Sequence, residues 1–568
     1  MTDMESFKST TITRRWWKEA VVYQVYPRSF QDSNGDGIGD IPGITARLDY
    51  ILGLGVNVIW LSPHFDSPNA DNGYDIRDYR EVMREFGTMA DFDSLLAETK
   101  KRGMRLIIDL VVNHTSDEHV WFAESRASKD NPYRDYYIWH PGRDGREPND
   151  WRSFFSGSAW TYDPPTGEYY MHLFAAKQPD INWDNPAVRA DVYDIMRFWL
   201  DKGVDGFRMD VIPFISKQDG LPDYPDHHRV APQFFHGSGP RLHDYLQEMN
   251  REVLSHYDVM TVGEAFGVTT DATPLLVDER RGELNMIFNF DAVRIGRGET
   301  WHTKPWALPE LKAIYAGLDA ATDRHCWGTV FLSNHDNPRL VSRFGDDHPD
   351  WRVPSAKVLA TLILTLKGTP FIYQGDELGM TNYPFGSVEE YDDIEVRNAW
   401  QAEVMTGKAD AAEFLAEMLK ISRDHSRTPM QWDASSDGGF TRGGKPWLSV
   451  NPNYRAINAD AALADPDSIY HYYAALIRFR RETPALIYGD YDDLAPDHPH
   501  LFVYTRTLGS ERYVVALNFS RDAQELVLPT DVSATSLVIG RAPQVDRMQH
   551  DAARIELAGW EARIYHCA

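Results

Sequence analysis

The chain has 568 residues, 42% of them apolar and 12% aromatic, which is ample material for a large globular core. Its formal charge of -27 argues against nucleic acid and anionic membrane surfaces as partners, because both select basic patches. A neutral small-molecule substrate is the expected partner. Two cysteines, Cys326 and Cys567, stand too far apart in sequence to suggest a disulfide framework or a Cys-based metal site.

In chain order, residues 21–26 (VVYQVY) predict a buried strand, 44–53 a helix, 56–61 a second strand, 92–101 a helix and 104–111 a third strand. The third is almost continuously apolar, as a strand covered on both faces should be. The β-then-α alternation implies parallel strands with helical crossovers. It breaks over residues 115–185, a stretch rich in Trp, Tyr, Gly, Pro and Asp and too long for an ordinary loop. It resumes with a helix at 187–201 and strands at 204–209, 259–264, 286–290, 329–333 and 370–373. Eight βα steps close a barrel. Residues 381–447 are irregular and expected to cover its mouth, with a helical piece at 411–422, and a helix at 469–480 returns to the barrel. From about residue 486 short alternating runs (501–505, 512–519, 524–528, 562–565) predict β structure. The expected fold is α/β: a TIM (β/α)8 barrel from residues 1–113 and 186–485, a small inserted domain at 114–185 after strand three, and a C-terminal antiparallel β-sandwich domain at 486–568. Residues 1–15 lack the apolar core of a signal peptide, and the longest apolar run, 358–366, is too short to span a bilayer. A cytoplasmic monomer is expected.

In such a barrel, side chains at the C-terminal strand ends converge on one pocket. Those ends supply Asp109, Asn113 and His114 from strand three, Arg208 and Asp210 from strand four, Glu264 from strand five, and His335 and Asp336 after strand seven. Arg208 and Asp210 are two apart, so both project to one side of the strand, where the cation favours an ionised carboxylate. Three acids at one mouth force their pKa values apart. A protonated acid facing an ionised nucleophile is what cleavage of a glycosidic bond with retention requires.

These motifs, in this order, resemble glycoside hydrolase family 13, the α-amylase superfamily. They are Asp109-Leu110-Val111-Val112-Asn113-His114, Gly206-Phe207-Arg208-Met209-Asp210, Gly263-Glu264 and Asn334-His335-Asp336. Gln178-Pro179-Asp180-Ile181-Asn182 resembles a fifth segment of the oligo-1,6-glucosidase subfamily. The resemblance implies that Asp210 is the nucleophile, Glu264 the acid/base and Asp336 a stabiliser of the distorted sugar. His114 and His335 would bind hydroxyls of that sugar, and Arg208 would hold Asp210 ionised. Asp71, in Asp71-Asn72-Gly73-Tyr74, would pair with Arg427 to grip the non-reducing end, with Tyr74 stacked on the ring. Phe155, Phe174 and Gln178 of the inserted stretch are expected to line the same pocket.

Two features bear on linkage. Val211, directly after Asp210, resembles α-1,6-acting members. Phe266 and Phe290 resemble the aromatic clamp of sucrose isomerases, whose Arg-rich loop is echoed by Arg294-Ile295-Gly296-Arg297-Gly298. Gly296 is expected to loosen that loop and admit water. The function expected is therefore hydrolysis of isomaltose, isomaltulose or trehalulose by an exo-acting retaining α-glucosidase. Sucrose isomerisation is the alternative. A non-catalytic, transporter-associated relative is the remote one, disfavoured because all three acids are present and no membrane anchor is seen.

A metal signal stands in the first βα loop. Residues 32–40 (DSNGDGIGD) place Asp32, Asn34, Asp36 and Asp40 at the first, third, fifth and ninth positions of an EF-hand-like pattern, with Ile38 offering a carbonyl. A twelfth-position Glu is absent, Gly43 standing there. A structural Ca²⁺, or Mg²⁺, is expected, and no organic cofactor.

Overall fold

A computed structural model describes residues 13–298, 301–322, 324–532, 534–540 and 554–567. Eight parallel strands form the barrel: β1 Val22–Val25, β2 Val58–Leu61, β3 Arg105–Val111, β4 Gly206–Asp210, β5 Met260–Glu264, β6 Met286–Phe288, β7 Thr329–Val330 and β8 Thr369–Tyr373. The ladder runs from β6 through β5, β4, β3, β2, β1 and β8 to β7. Thr329 Oγ1 on β7 donates to Ile287 O on β6 (3.0 Å) and closes the ring.

Side-chain alternation explains both the fold and the site. On β4, Phe207 and Met209 point outward into the layer shared with the helices, while Arg208 and Asp210 point inward. Below that inward level the barrel is filled by Val22, Val58, Ile107, Val262, Met286, Phe288 and Phe371. Strands β3, β4 and β5 thus carry apolar packing along their length and present Asp109, Asp210 and Glu264 towards the C-terminal end of the barrel. Gly206 is needed where β4 meets β5. Its φ is +148°, and a Cβ there would lie 1.9 Å from Met260 O.

The structure departs from the sequence expectation in several places. The helix expected at 44–53 is two helices, Ile41–Ala46 and Leu48–Leu54, because Asp40 caps Gly43 N and Pro42 starts the first turn early. The stretch after β3 contains a helix, Val120–Ala127, and an antiparallel sheet with Glu168–Met171 between Trp139–His140 and Trp160–Asp163. Strands β6 and β7 end earlier than expected, since Phe290 and residues 331–333 lie beyond the ladder. At the C-terminus a five-stranded antiparallel sheet orders Asp490–Asp493, Leu501–Leu508, Glu511–Asn518, Ala562–Cys567 and Ala534–Ile539, beside the pair Gln524–Val527 and Arg554–Leu557. Three of these strands, Asp490–Asp493, Ala534–Ile539 and Arg554–Leu557, escaped sequence reading. We propose residues 114–185 and 486–568 as the limits of the two added units. No helix among the described residues is long and apolar enough to cross a membrane.

Buried cations staple the C-terminal sheet to the barrel. Lys312 Nζ, on the barrel helix Leu308–Ala321, donates to the carbonyls of Ala495 (2.5 Å), His498 (2.8 Å) and Leu501 (3.0 Å). Arg506 donates likewise to Thr365 O (2.6 Å) and Gly489 O (2.8 Å). Replacing Lys312 by Met leaves three carbonyls without their donor, at about 1–3 kcal/mol for each group left buried. The Lys312→Met protein should melt several degrees lower with its secondary structure intact. An unchanged melting temperature would show the staple to be dispensable.

Candidate active site

At the C-terminal end of the barrel one guanidinium gathers three carboxylates. Arg208, 1% exposed, donates from Nη1 to Asp109 Oδ1 (2.7 Å) and Asp210 Oδ1 (2.7 Å), and from Nη2 to Glu264 Oε2 (2.6 Å). Asp109 is also fixed by Trp60 Nε1 (2.8 Å to Oδ2). Val211 N donates to the same Glu264 Oε2 (3.1 Å). Two donors on Oε2 leave Oε1 as the place for a proton.

Burial dominates the acids here. It pushes Asp210 up to about 6 against the pull of Arg208, and Glu264 up to about 8, where the charges of Asp210 and Asp336 add to it. Arg208 thus restrains Asp210 rather than holding it below the ordinary range, as the sequence had suggested. Asp336 goes the other way. Burial pushes it up, but His335, Arg423 and Arg427 outweigh burial and hold it well below the ordinary range. Between about pH 6 and pH 8 one acid at this mouth is protonated while its neighbours are ionised.

Asp336 Oδ1 accepts from Arg427 Nη2 (2.7 Å) and Arg423 Nη1 (3.3 Å), and its Oδ2 lies 3.1 Å from His335 Nε2. His335 Nδ1 is bonded to Gln24 Nε2 (2.8 Å), which assigns the ring proton to Nε2. The ring is stacked between Tyr74 (5.3 Å, 7°) and Tyr26 (5.9 Å, 16°). His114 lies against Tyr74 O (3.0 Å) and Gln178 Nε2 (3.2 Å). Gln178 in turn reaches Asp71 Oδ2 (3.1 Å). Burial lowers both histidines and keeps them neutral.

The cavity above this floor, about 1450 Å³ with its opening, is lined by Asp71, Tyr74, His114, Phe155, Phe174, Asp210, Val211, Glu264, Phe266, Phe290, Arg294 and Asp336. Twelve of the sixteen expected catalytic and substrate-binding residues therefore meet in one space. The other four, Gln178, Arg208, His335 and Arg427, are buried behind its wall and floor. The expected Asp71–Arg427 pair is not formed. Arg427 is committed to Asp336 and His335 O, and the cation facing Asp71 is Arg423, 4.0 Å away. The two arginines are four apart on one turn, so both face the mouth, and Arg423 is the one that lines it. Arg423 also pairs with Asp393 and lies 3.6 Å from Glu395.

Sequence reading missed Arg423, Glu395, Arg297, Asn337 and Phe154 as lining residues. Two of them left a signal: Arg423 as the second arginine of Arg423-Asp424-His425-Ser426-Arg427, and Arg297 as the second arginine of the loop Arg294-Ile295-Gly296-Arg297-Gly298. The loop after β6 also corrects an expectation. Gly296 sits at φ +76°, where a Cβ would lie 2.9 Å from Trp306, and its carbonyl accepts from Lys304 N (2.9 Å). With Gly298 N on His302 O (2.9 Å), this makes the loop tied rather than loose. Phe266 and Phe290 face each other at 5.5 Å and 54°, with Arg294 Cζ 5.5 Å from the Phe266 ring.

In the 32–40 loop the carboxylates bind backbone N–H groups. Asp32 Oδ1 accepts from Asn34 N (3.0 Å) and Gly35 N (2.6 Å), and its Oδ2 from Gly37 N (2.8 Å). Asn34 accepts from Asp36 N (2.9 Å) and Asp36 from Ile38 N (2.8 Å). Asp40 accepts from Gly43 N (2.6 Å) and from Ser33 N and Oγ (2.9 Å each). Among the described residues no three acidic, His or Cys side chains gather into a metal cage. The donors are nonetheless all oxygen. Asp32 and Asp40 are buried, and the loop's nearest charge effect on Asp40 is the repulsive one of Asp32. A hard cation fits that chemistry.

An α-amylase catalytic-domain model matches residues 24–489. An oligo-1,6-glucosidase from Parageobacillus thermoglucosidasius is 54% identical over 97% of this chain and 99% of its own. Among solved structures, the trehalulose synthase from Pseudomonas mesoacidophila MX-45 is 52% identical with a TM-score of 0.96, covering 98% of this chain and 100% of its own. An isomaltulose synthase variant from Erwinia rhapontici NX5, solved with its natural substrate sucrose, is 51% identical with a TM-score of 0.96 over the same shares.

Asp109, Asp210 and Glu264 all have raised pKa values, so the folded state binds protons that the unfolded chain releases. That contribution to stability is complete below about pH 4 and is lost as pH rises through about 6 to about 8. The melting temperature should fall from pH 6 to pH 9, and Glu264→Gln should flatten the upper part of the fall. A variant with the parent's slope would contradict the charge arrangement.

Proposed function

The chain belongs to the α-amylase family, glycoside hydrolase family 13, and on that premise we propose that it is an exo-acting retaining α-glucosidase of short α-1,6-linked glucosides such as isomaltose, isomaltulose and trehalulose. The division of charge at the mouth carries the reading: an ionisable Asp210 and a proton-holding Glu264 on one guanidinium, with an ionised Asp336 opposite. Asp210 attacks the anomeric carbon as the glycosidic C–O bond breaks, and Glu264 passes its proton to the leaving oxygen. Water then adds to the anomeric carbon, gives its proton to Glu264 and releases Asp210. Asp336 offsets the positive charge that develops on the ring. His114, His335 and Tyr74 offer donors and a ring face to the same sugar. Exo action is supported by Asp71 and Arg423, which stand together on the pocket wall with Gln178 bonded to Asp71 behind them.

Sucrose isomerisation remains the second reading. The facing Phe266 and Phe290 and the tied Arg294–Gly298 loop favour it, together with the likeness to two sucrose-related synthases. A product profile on sucrose, isomaltose, isomaltulose, trehalulose and maltose decides. The expected outcome is glucose released from isomaltose and the glucosyl-fructoses. Sucrose converted mainly into isomaltulose or trehalulose would install the isomerase reading, and no turnover above an Asp210→Asn control would remove both.

We further propose that residues 32–40 take Ca²⁺ as a structural ion, through Asp32, Asn34, Asp36, the Ile38 carbonyl and Asp40, with no part in the chemistry. Two of the five donors are neutral oxygens, so the cage does not depend on acids alone. Chelation should lower the melting temperature and calcium should restore it. Identical melting curves before and after chelation would dispose of the ion.

A further inference from the structure

A second cavity lies on the outer side of the barrel, where β6, β7 and the helix Leu308–Ala321 meet the C-terminal sheet. It shares no lining residue with the catalytic mouth. Tyr315, Leu318 and Asp319 line it from one face of that helix, being three and four residues apart. Ile287 on β6 and Asn289 just past it line the opposite wall, on the side of the strand away from Met286 and Phe288, which fill the barrel. Tyr491 of the strand Asp490–Asp493 adds the C-terminal wall. The cavity offers about 60 Å³ to the centres of water-sized spheres. One water needs about 10–15 Å³ by that measure, so about four to six such groups fit.

Two donors in this wall are unspent. Tyr315 is 8% exposed, and its hydroxyl has no hydrogen-bond partner among the described residues. The buried Nδ2 of Asn289 has none there either, although its Oδ1 accepts from Asp291 N (2.8 Å). A buried polar group left unpaired costs about 1–3 kcal/mol, so both groups favour an occupant that brings an oxygen acceptor. The remaining wall asks for little else. Ile287, Leu318 and Leu366 supply carbon surface, and Trp327 spends its Nε1 on Thr369 Oγ1 (2.8 Å). Lys367 donates to Asp319 (3.1 Å), so the lining charges among the described residues offset each other. An ion finds no free countercharge, and a hexose is too large and carries too many hydroxyls. Gly328 leaves part of the space open, since a Cβ there would meet nothing within 4 Å.

We propose that this cavity is a binding site for a short aliphatic alcohol of about four to six non-hydrogen atoms. Its oxygen accepts from Tyr315 and Asn289, and its chain covers Ile287, Leu318 and Leu366. The site lies apart from the acids, so its occupant takes no part in bond cleavage.

Saturation-transfer NMR of 1-butanol with the full-length protein tests this. Binding should saturate with a Kd of about 1–10 mM. Tyr315→Phe should weaken it about fivefold, the loss of one hydrogen bond, without lowering the melting temperature, because the hydroxyl has no partner in the protein to lose. Gly328→Val places a side chain in the open space and should abolish binding with the melting temperature retained. Absence of saturable binding by the wild-type protein, which leaves the cavity to water, would overturn the proposal. So would wild-type affinity in Gly328→Val, which places the alcohol elsewhere. If Gly328→Val does not fold, wild-type affinity in Tyr315→Phe overturns it instead.

Discussion

Everything at the mouth depends on Arg208, a single buried guanidinium bonded to three carboxylates. At an effective dielectric of about 20, opposite charges about 4 Å apart attract by about 4 kcal/mol, and like charges repel by as much. One cation cannot offset three buried anions at once, so one acid must keep its proton. Asp109 is held by Trp60 as well as Arg208, and Asp210 receives the Arg208 Nη1 bond. Glu264, with Asp210 and Asp336 both acting against its ionisation, is where the proton stays. Asp336 escapes the contest because His335, Arg423 and Arg427 all face it on the opposite side. The assignment of acid and base is thus a matter of counting cations.

What the sequence makes legible follows from range. A strand that is apolar on both faces and stops on a carboxylate declares its own end, so Asp210 and Glu264 could be found from local pattern, while Asp109 is the one acid near the end of an otherwise apolar strand. Their meeting on one guanidinium follows from β3, β4 and β5 being neighbours in parallel register, with Val111 beside Asp210 and Met209 beside Gly263. Two of the missed residues come from a segment far from any strand end. Arg423 and Glu395 reach the mouth from the covering region after β8, and nothing local says which turn of that region faces inward. The Arg427 error is of this kind. Two arginines on one face are equivalent in sequence, and only the depth of the turn separates the one under Asp336 from the one opposite Asp71. Gly296 misled for another reason. Glycine marks freedom in an isolated chain, whereas here it marks close approach, with Trp306 filling the space a side chain would need.

Val211 shows how tightly the neighbourhood of Asp210 is specified. Its φ of 33° and ψ of 40° place a β-branched residue in the left-handed region, at a cost of order 1–3 kcal/mol. The turn persists because its surroundings require it. Val211 O accepts from Phe214 N (2.9 Å), and its side chain packs in the aromatic cluster of Phe214, Phe174, Phe154 and Phe266. The strained turn aims Val211 N at Glu264 Oε2 and leaves the other oxygen of that acid to carry the proton. The same backbone that seats Asp210 therefore orients its partner. The side chain at 211 faces the cavity, so its shape can tune what enters without moving either acid.

This separation bears on the choice between hydrolysis and isomerisation. In the proposed mechanism both begin with attack by Asp210 and a proton from Glu264, so neither the Arg208 cluster nor the Asp336 arginines would distinguish them. The outcome is decided afterwards, by whether the freed sugar leaves before water reaches the anomeric carbon. That is a property of the wall formed by Phe266, Phe290 and the loop from Arg294 to Gly298. With the loop tied at Gly296 and Gly298, water cannot be admitted by its slackness. For hydrolysis to prevail, the departing sugar needs a way out past the aromatic pair. An open basin that shares Phe266, Phe290 and Arg294 with the mouth lies against that same wall.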